Sequence, residues 1–130
     1  MQETYDFLKK CGVFFLATCD NNKPRVRPFG AINIFEDKLY FQTGKIKNVF
    51  KQIEANPHVE ICGFTEGKWI RLEGILVDDD RLEAKVSMLD NNPELKTLYQ
   101  AEDDNTKVLY IKDAKATISS FTEAPKEYIF

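Results

Sequence analysis

The stretch that most restricts the fold covers residues 25–50, where strand, turn and helix patterns follow one another without a linker. Residues 25–35 are typical of an extended strand, and the Glu-Asp-Lys sequence at 36–38 is typical of a tight turn. Residues 39–43 form a second strand, so the two are predicted to pair as a β-hairpin. The next apolar side chains fall at i, i+3, i+4 and i+7, which predicts an amphipathic helix. They are Ile46, Val49, Phe50 and Ile53.

The turn that opens this helix carries a hydroxyl group and two amines, from Thr43, Lys45 and Lys47. The first N–H groups of a helix have no partner within the helix, and the helix dipole favours an anion beside them. Two lysines at a helix start are unfavourable unless an anion is bound there. The pattern therefore predicts a phosphate site, with ordinary surface lysines as the alternative.

The first strand of the hairpin is irregular at its middle because it contains Pro28 and Gly30. Proline cannot donate a hydrogen bond to a sheet, and glycine often marks a bulge or the close approach of another group. We therefore expect one long, bent strand over residues 25–35 that borders either a binding site or an empty corner of a barrel.

The rest of the chain also alternates between strand patterns and helix patterns. Four further segments have strand character: 13–19, 58–64, 68–77 and 107–121. Helical spacing recurs in three more: 3–10, 82–90 and 93–99. The total is about six strands with three or four helices between them, in one domain over residues 1–130. We therefore predict a mostly β fold in which the strands pair antiparallel in a closed or partly closed barrel, because such a barrel leaves few strand edges unpaired.

Composition excludes several classes of protein. The net charge is −3, and acidic residues cluster at 78–80 and 102–104, which argues against a nucleic-acid-binding protein. No apolar run is long enough for a membrane span and the first residues do not form a signal peptide, so we expect a cytoplasmic protein. The chain has an odd number of cysteines, three, without a Cys-x-x-Cys pair, and a single histidine. This composition predicts neither a disulfide framework nor a metal site.

Four segments together resemble a known family. They are Phe-Leu-Ala-Thr-Cys-Asp at 15–20, Lys-Pro-Arg-Val-Arg-Pro at 23–28, Leu-Tyr-Phe-Gln-Thr-Gly at 39–44, and Ala-Asn-Pro-His-Val-Glu-Ile-Cys at 55–62. Their order and spacing are similar to those of the pyridoxamine 5′-phosphate oxidase-like FMN-binding split barrels, especially the short members related to nitroimidazole-resistance proteins. The resemblance implies a six-stranded antiparallel split β-barrel and a homodimer that binds FMN at its interface.

The resemblance also implies positions for the flavin. Arg27 would approach the phosphate, while the backbone at Pro28 and Phe29 would lie along the flavin ring. Gln42 and Thr43 match the end of the strand that contacts the flavin.

The remaining implied contacts come from the helix-opening turn and from a second subunit. Lys45, Lys47 and Asn48 would form the phosphate-binding turn, although the family more often has serine followed by two basic residues there. Arg71 of the partner subunit would reach the ring or the ribityl chain. Trp69, two residues earlier on the same strand face, would form a wall beside the ring.

These implications favour an FMN-dependent oxidoreductase that transfers electrons from NAD(P)H to a small planar acceptor such as a nitro compound or a quinone. A flavin brings its own redox chemistry, so no catalytic side chain is expected. Pyridoxamine phosphate is not the expected substrate, because the last strand region lacks an Arg-x-His motif. The alternatives are a flavin- or tetrapyrrole-binding carrier or sensor, for which His58 is a poor haem ligand, and an oligonucleotide-binding barrel, which the acidic balance disfavours.

Overall fold

The computed structural model describes residues 1–130 as a mostly β fold with three α-helices and one short 3₁₀ helix. The elements in chain order are α1 (Gln2–Cys11), β1 (Phe14–Asp20), β2 (Lys23–Phe29), β3 (Ile32–Phe35), β4 (Lys38–Gly44), α2 (Asn48–Ala55), β5 (His58–Thr65), β6 (Lys68–Asp78), α3 (Leu82–Asn91), the 3₁₀ helix (Pro93–Thr97), β7 (Thr106–Ser120) and β8 (Lys126–Ile129). No helix is long and apolar enough to cross a membrane.

All strands belong to one antiparallel sheet in the order β2-β1-β5-β6-β7-β4-β3, with β8 added to β7. β2 and β3 are consecutive in the chain, yet they stand at opposite ends of this order. Only residues 30 and 31 separate them, and so short a connection spans at most about 11 Å. The sheet therefore curls until its two end strands meet at a corner without pairing, as expected for a split barrel.

The expected number of six strands is not confirmed, because the structure has eight. The predicted strand over residues 25–35 is two strands, β2 paired with β1 and β3 paired with β4. Pro28 and Gly30 mark the place where the chain leaves one end of the sheet for the other. The eighth strand, β8, lies in the tail and pairs with the second half of β7.

The core contains a cluster of 18 buried apolar side chains, to which α1 and α2 contribute. Val49, Phe50 and Ile53 of α2 are buried as the helical spacing predicted. Ile46 is 76% exposed, because α2 begins only at Asn48 and Ile46 still lies in the turn. The burial of three residues on one face fixes the start of α2 against the sheet.

One face of the sheet carries four exposed apolar side chains and the half-buried Trp69, and we call it the outer apolar face: Phe15, Val26, Phe64, Trp69 and Phe121. Ala17 of β1 pairs with Val26 of β2, and Phe15 lies on the same face because it is two residues from Ala17. Phe64 of β5 pairs with Trp69 of β6. The rings of Trp69 and Phe121 pack with centroids 5.0 Å apart. Contiguous apolar patches of this kind usually mark sites of association.

A buried carboxylate ties the β3–β4 hairpin to the start of α3. The Tyr40 hydroxyl donates to Asp79 over 2.8 Å, and the Arg81 guanidinium donates to both Asp79 oxygens at 2.9–3.3 Å. Arg81 also donates to Glu36 in the hairpin turn. Arg81 holds the pKa of Asp79 down to about 2, whereas burial raises the pKa of Tyr40 to about 12.

Asp79→Asn should lower the free energy of unfolding by about 1–2 kcal/mol at pH 7. Since the pKa of Asp79 falls on folding from 3.8 to about 2, its stabilisation is present above pH 3.8 and is lost as the pH falls through about 2. Urea denaturation of both proteins between pH 7 and pH 2 measures this. Asp90→Asn, which removes an exposed ion pair with Lys96, is the control. A loss of the same size at every pH would contradict the role given to Asp79.

Candidate functional site

A cavity of about 250 Å³ lies at the corner where β2 passes into β3. The end of β4, the start of α2 and the 3₁₀ helix with the residues after it form its other walls. Six of the residues that the sequence singled out line this one cavity: Arg27, Pro28, Phe29, Gln42, Thr43 and Lys47. The structure thus brings together groups from two ends of the sheet.

Arg27 is the half-buried cation of the cavity, and its guanidinium is held by uncharged acceptors only. Nη1 donates to the Leu16 carbonyl oxygen over 3.2 Å and to Thr18 Oγ1 over 2.8 Å, and Nη2 donates to Gln52 Oε1 over 2.7 Å. Burial, with a smaller contribution from the neighbouring charge of Arg25, lowers the pKa of Arg27. This shift reflects a positive charge that lacks a counter-ion.

The other three arginines of the chain all pair with carboxylates. Arg25 pairs with Asp20, Arg71 with Glu60, and Arg81 with Asp79 and Glu36. Arg27 alone makes no ion pair, although it is the one that lines the cavity. A partly desolvated guanidinium without a carboxylate is well suited to an anionic ligand such as a phosphate.

The start of α2 adds unpaired donors to the same wall. Lys47 is the N-cap residue and its side chain caps nothing, and the first turn contains no acidic residue. The backbone N–H groups of Asn48 and Val49 have no acceptor within the chain. Lysine is a poor N-cap, because it cannot accept a hydrogen bond from these groups. An anion bound here would satisfy them and would meet the positive end of the helix dipole.

Gln42 brings a buried amide to the cavity. It is 7% exposed, and neither its Oε1 nor its Nε2 has a hydrogen-bond partner. Buried amides are nearly always hydrogen-bonded, since an unpaired one costs about 1–3 kcal/mol. A ligand that offers both a donor and an acceptor would satisfy it. Thr43, also buried, follows it at the end of β4.

The sequence did not predict the apolar wall, which is formed by Leu95, Leu98 and Tyr99. Leu98 is 80% exposed although it borders the cavity, so a bound ligand would cover part of it. Gly44 allows this segment to come close, because a Cβ at Gly44 would lie 3.3 Å from the Tyr99 hydroxyl. In the sequence these three residues show helical spacing at i, i+3 and i+4. That pattern does not indicate which part of the molecule the segment packs against.

Two residues of the predicted phosphate-binding turn do not line the cavity. Lys45 pairs with Asp104 over 3.3 Å, and its backbone N–H donates to the Asn105 carbonyl oxygen over 2.7 Å. Asn48 is the exposed first residue of α2, so its backbone N–H is the group that it offers to the site. Lys47 is therefore the lysine of the turn that is available to a ligand in this cavity.

Trp69 and Arg71 lie elsewhere, on the outer surface of β6. They line a separate depression of about 270 Å³, which shares no residue with the cavity at Arg27. Arg71 donates to Glu60 over 3.0 Å, and this hydrogen bond raises the pKa of Arg71. Within one chain these two residues do not join the six that surround the cavity.

The donor set fits a flavin phosphate. The dianion would be met by an uncompensated guanidinium, by an amine and by two free backbone N–H groups. The buried Gln42 amide would be satisfied by the polar atoms of the ribityl chain or of the ring. Arg27, Lys47, Gln42 and Thr43 are the residues that would hold such a cofactor.

The family model for pyridoxamine 5′-phosphate oxidase matches residues 1–118. A NimC/NimA family protein from Clostridium acetobutylicum has 43% identity and a TM-score of 0.98, over 100% of this chain and 92% of that one.

Two more distant structures share the fold. A pyridoxamine 5′-phosphate oxidase-related, FMN-binding protein from Nostoc punctiforme has 15% identity and a TM-score of 0.66, over 99% and 95% of the two chains. A heme-binding protein from Mycobacterium smegmatis has 11% identity and a TM-score of 0.70, over 94% of this chain and 57% of that one. No curated protein sequence matches the chain.

Proposed function

This chain belongs to the pyridoxamine 5′-phosphate oxidase family, and we propose that it is an FMN-binding oxidoreductase that acts as a homodimer. The observation that carries the proposal is Arg27, a cavity-lining guanidinium with no carboxylate partner, which shares its cavity with an uncapped helix start. These groups would bind the FMN phosphate. A neutral ligand would leave both positive groups uncompensated.

The flavin ring would extend from the phosphate along Pro28 and Phe29, with Thr43 near the phosphate end and Gln42 beneath the ribityl chain. Leu95, Leu98 and Tyr99 supply apolar surface for the far wall and would exclude water from one side of the ligand. No Asp, Glu or His lines the cavity. In this proposal the protein binds and orients the cofactor, and the bound flavin supplies the redox chemistry.

A second copy of the chain would complete the site. Cofactor pockets commonly enclose about 300–1,000 Å³, whereas the cavity of one chain holds about 250 Å³. Part of the flavin would therefore need another surface. The outer apolar face would pair with its copy across a two-fold axis. Trp69 belongs to this face and Arg71 lies two residues further along β6, so those of the partner subunit would contact the ring.

For the reaction we propose hydride transfer from NADH or NADPH to FMN, followed by reduction of a small planar acceptor of the nitro or quinone class. The test starts with the visible spectrum of the purified protein, or of protein incubated with FMN. A yellow protein should bleach under anaerobic NADH or NADPH and regain its colour on addition of a nitroaromatic compound. A flavin-loaded protein that neither nicotinamide reduces would contradict the oxidoreductase proposal while leaving flavin binding intact.

The second candidate is a tetrapyrrole carrier, which is favoured by the shared fold of the heme-binding protein from Mycobacterium smegmatis. No His, Cys or Met lines the cavity, and His58 is exposed at the start of β5. A flavin is therefore the better fit. A strong absorption band near 400 nm after haem addition, without uptake of FMN, would favour the carrier.

Lys47→Ala and Thr43→Ala should each weaken FMN binding by about 1–3 kcal/mol, because each removes a donor from the proposed phosphate end. Quenching of flavin fluorescence measures the dissociation constant. Lys51→Ala is the matched control, since Lys51 is exposed one turn later on α2 and does not line the cavity. Unchanged affinity in both variants would place the phosphate elsewhere.

A further inference from the structure

The acceptors around Arg27 form a closed network outside the cavity wall. Gln52 Oε1 accepts from Arg27 Nη2 over 2.7 Å and from the Thr18 hydroxyl over 2.6 Å. Thr18 Oγ1 in turn accepts from Arg27 Nη1 over 2.8 Å. Neither Thr18 nor Gln52 lines the cavity, so both act on it only through the arginine.

Three secondary-structure elements meet in this network. Arg27 lies on β2 opposite Leu16 of β1, and its guanidinium also donates to the Leu16 carbonyl oxygen. Gln52 belongs to α2, the helix whose first residues form the donor-rich wall of the cavity. The hydrogen bond between Gln52 and Arg27 thus holds the guanidinium in a fixed position relative to the start of α2.

The acceptors are all uncharged, and this determines what the arginine can bind. A guanidinium has five N–H groups, and the network uses those of Nη1 and Nη2 that face the acceptors. The fixed orientation leaves other N–H groups for a ligand. Because amide, hydroxyl and carbonyl oxygens carry no net charge, the positive charge remains available too. A glutamate at position 52 would keep an acceptor in place but would neutralise the cation.

We propose that Gln52 is a positioning residue that makes the site selective for a ligand with a phosphate dianion over the uncharged analogue of that ligand. This inference rests on the proposed function, since it concerns how the same cavity recognises FMN. Gln52 orients Arg27 without consuming its charge, and the phosphate then provides the only anionic partner. Riboflavin, which is FMN without its phosphate, would gain nothing from this arrangement.

The test compares wild type with Gln52→Glu, a substitution that changes the charge and hardly changes the size of the side chain. Dissociation constants for FMN and for riboflavin are measured by fluorescence quenching. In Gln52→Glu the FMN constant should rise about tenfold or more, because the new carboxylate repels the phosphate and pairs with Arg27. The riboflavin constant should stay within about twofold. Without ligand, Gln52→Glu should have a melting temperature equal to or above that of wild type.

Gln52→Met is the matched second variant, because it removes the acceptor without adding a charge. It should lower the preference for FMN over riboflavin by less than Gln52→Glu does, through loss of orientation alone. It also carries the test if Gln52→Glu fails to fold, and an unchanged preference would then overturn the proposal.

Two results for Gln52→Glu would overturn the role of Gln52: an FMN-to-riboflavin preference equal to that of wild type, or an equal loss of affinity for both ligands. The second result would mean that Gln52 only supports the structure. These failures differ from failure of the proposed function, in which wild type itself would bind no FMN.

Discussion

Arg27→Gln should weaken FMN binding by about 2–3 kcal/mol, or roughly 30- to 150-fold. The substitution removes the one cavity-lining cation that is held in place and has no carboxylate partner. Since the lost interaction is charge-assisted, riboflavin affinity should change far less than FMN affinity. Titration of apo protein with each ligand, followed by flavin fluorescence, measures both constants.

Arg25→Gln is the control for this experiment. Arg25 lies two residues earlier on β2, is exposed, and already pairs with Asp20. Its loss should change FMN affinity less than about threefold, which is the range expected for an exposed and screened charge. If the two variants bind FMN equally well, the phosphate is not held by Arg27.

Phe64→Glu should dissociate the proposed dimer and weaken the proposed FMN binding with it. Phe64 is 65% exposed in a single chain, so the substitution leaves the core of the chain unaffected. In a two-fold interface each substitution occurs twice, and burial of unpaired carboxylates costs about 2–5 kcal/mol. Light scattering coupled to size exclusion measures the mass, and an FMN titration of the same samples measures the affinity.

Leu82→Glu serves as the comparison, because Leu82 is 50% exposed on α3 and does not belong to the outer apolar face. It should leave both the mass and the FMN affinity as in wild type. A Phe64→Glu protein that remains dimeric would place the interface on another surface. A monomeric variant with full FMN affinity would mean that one chain is sufficient for binding.

The sequence predicted the parts of the fold that depend on local patterns. Alternating apolar residues and turn residues located the strands, and the helical spacing of Val49, Phe50 and Ile53 located α2. The family resemblance is confirmed by the match over residues 1–118. The sequence could not reveal that residues 25–35 divide between the two ends of the sheet, because strand propensity is local and pairing partners are not. The four residues of β8 were too few to indicate a strand.

The candidate site divides in a similar way. Arg27 and Gln42 could be named in advance from the family resemblance, and Lys47 from both the resemblance and the helix-opening turn. Gln52 and Thr18 could not, since their importance depends on contacts between β1, β2 and α2 across 9 to 34 positions of sequence. Leu98 was also missed, because an exposed leucine after a 3₁₀ helix does not reveal which cavity it borders. The partner-subunit roles of Trp69 and Arg71 stay predictions.

A crystal structure of the protein grown with FMN tests the central claim most directly. We predict one flavin per chain, with its phosphate hydrogen-bonded to Arg27 and to the backbone N–H groups of Asn48 and Val49, and with the Gln42 amide paired to the ligand. A flavin bound with its phosphate away from Arg27 and the start of α2 would contradict this prediction. So would crystals grown at saturating FMN in which the Arg27 cavity holds only water.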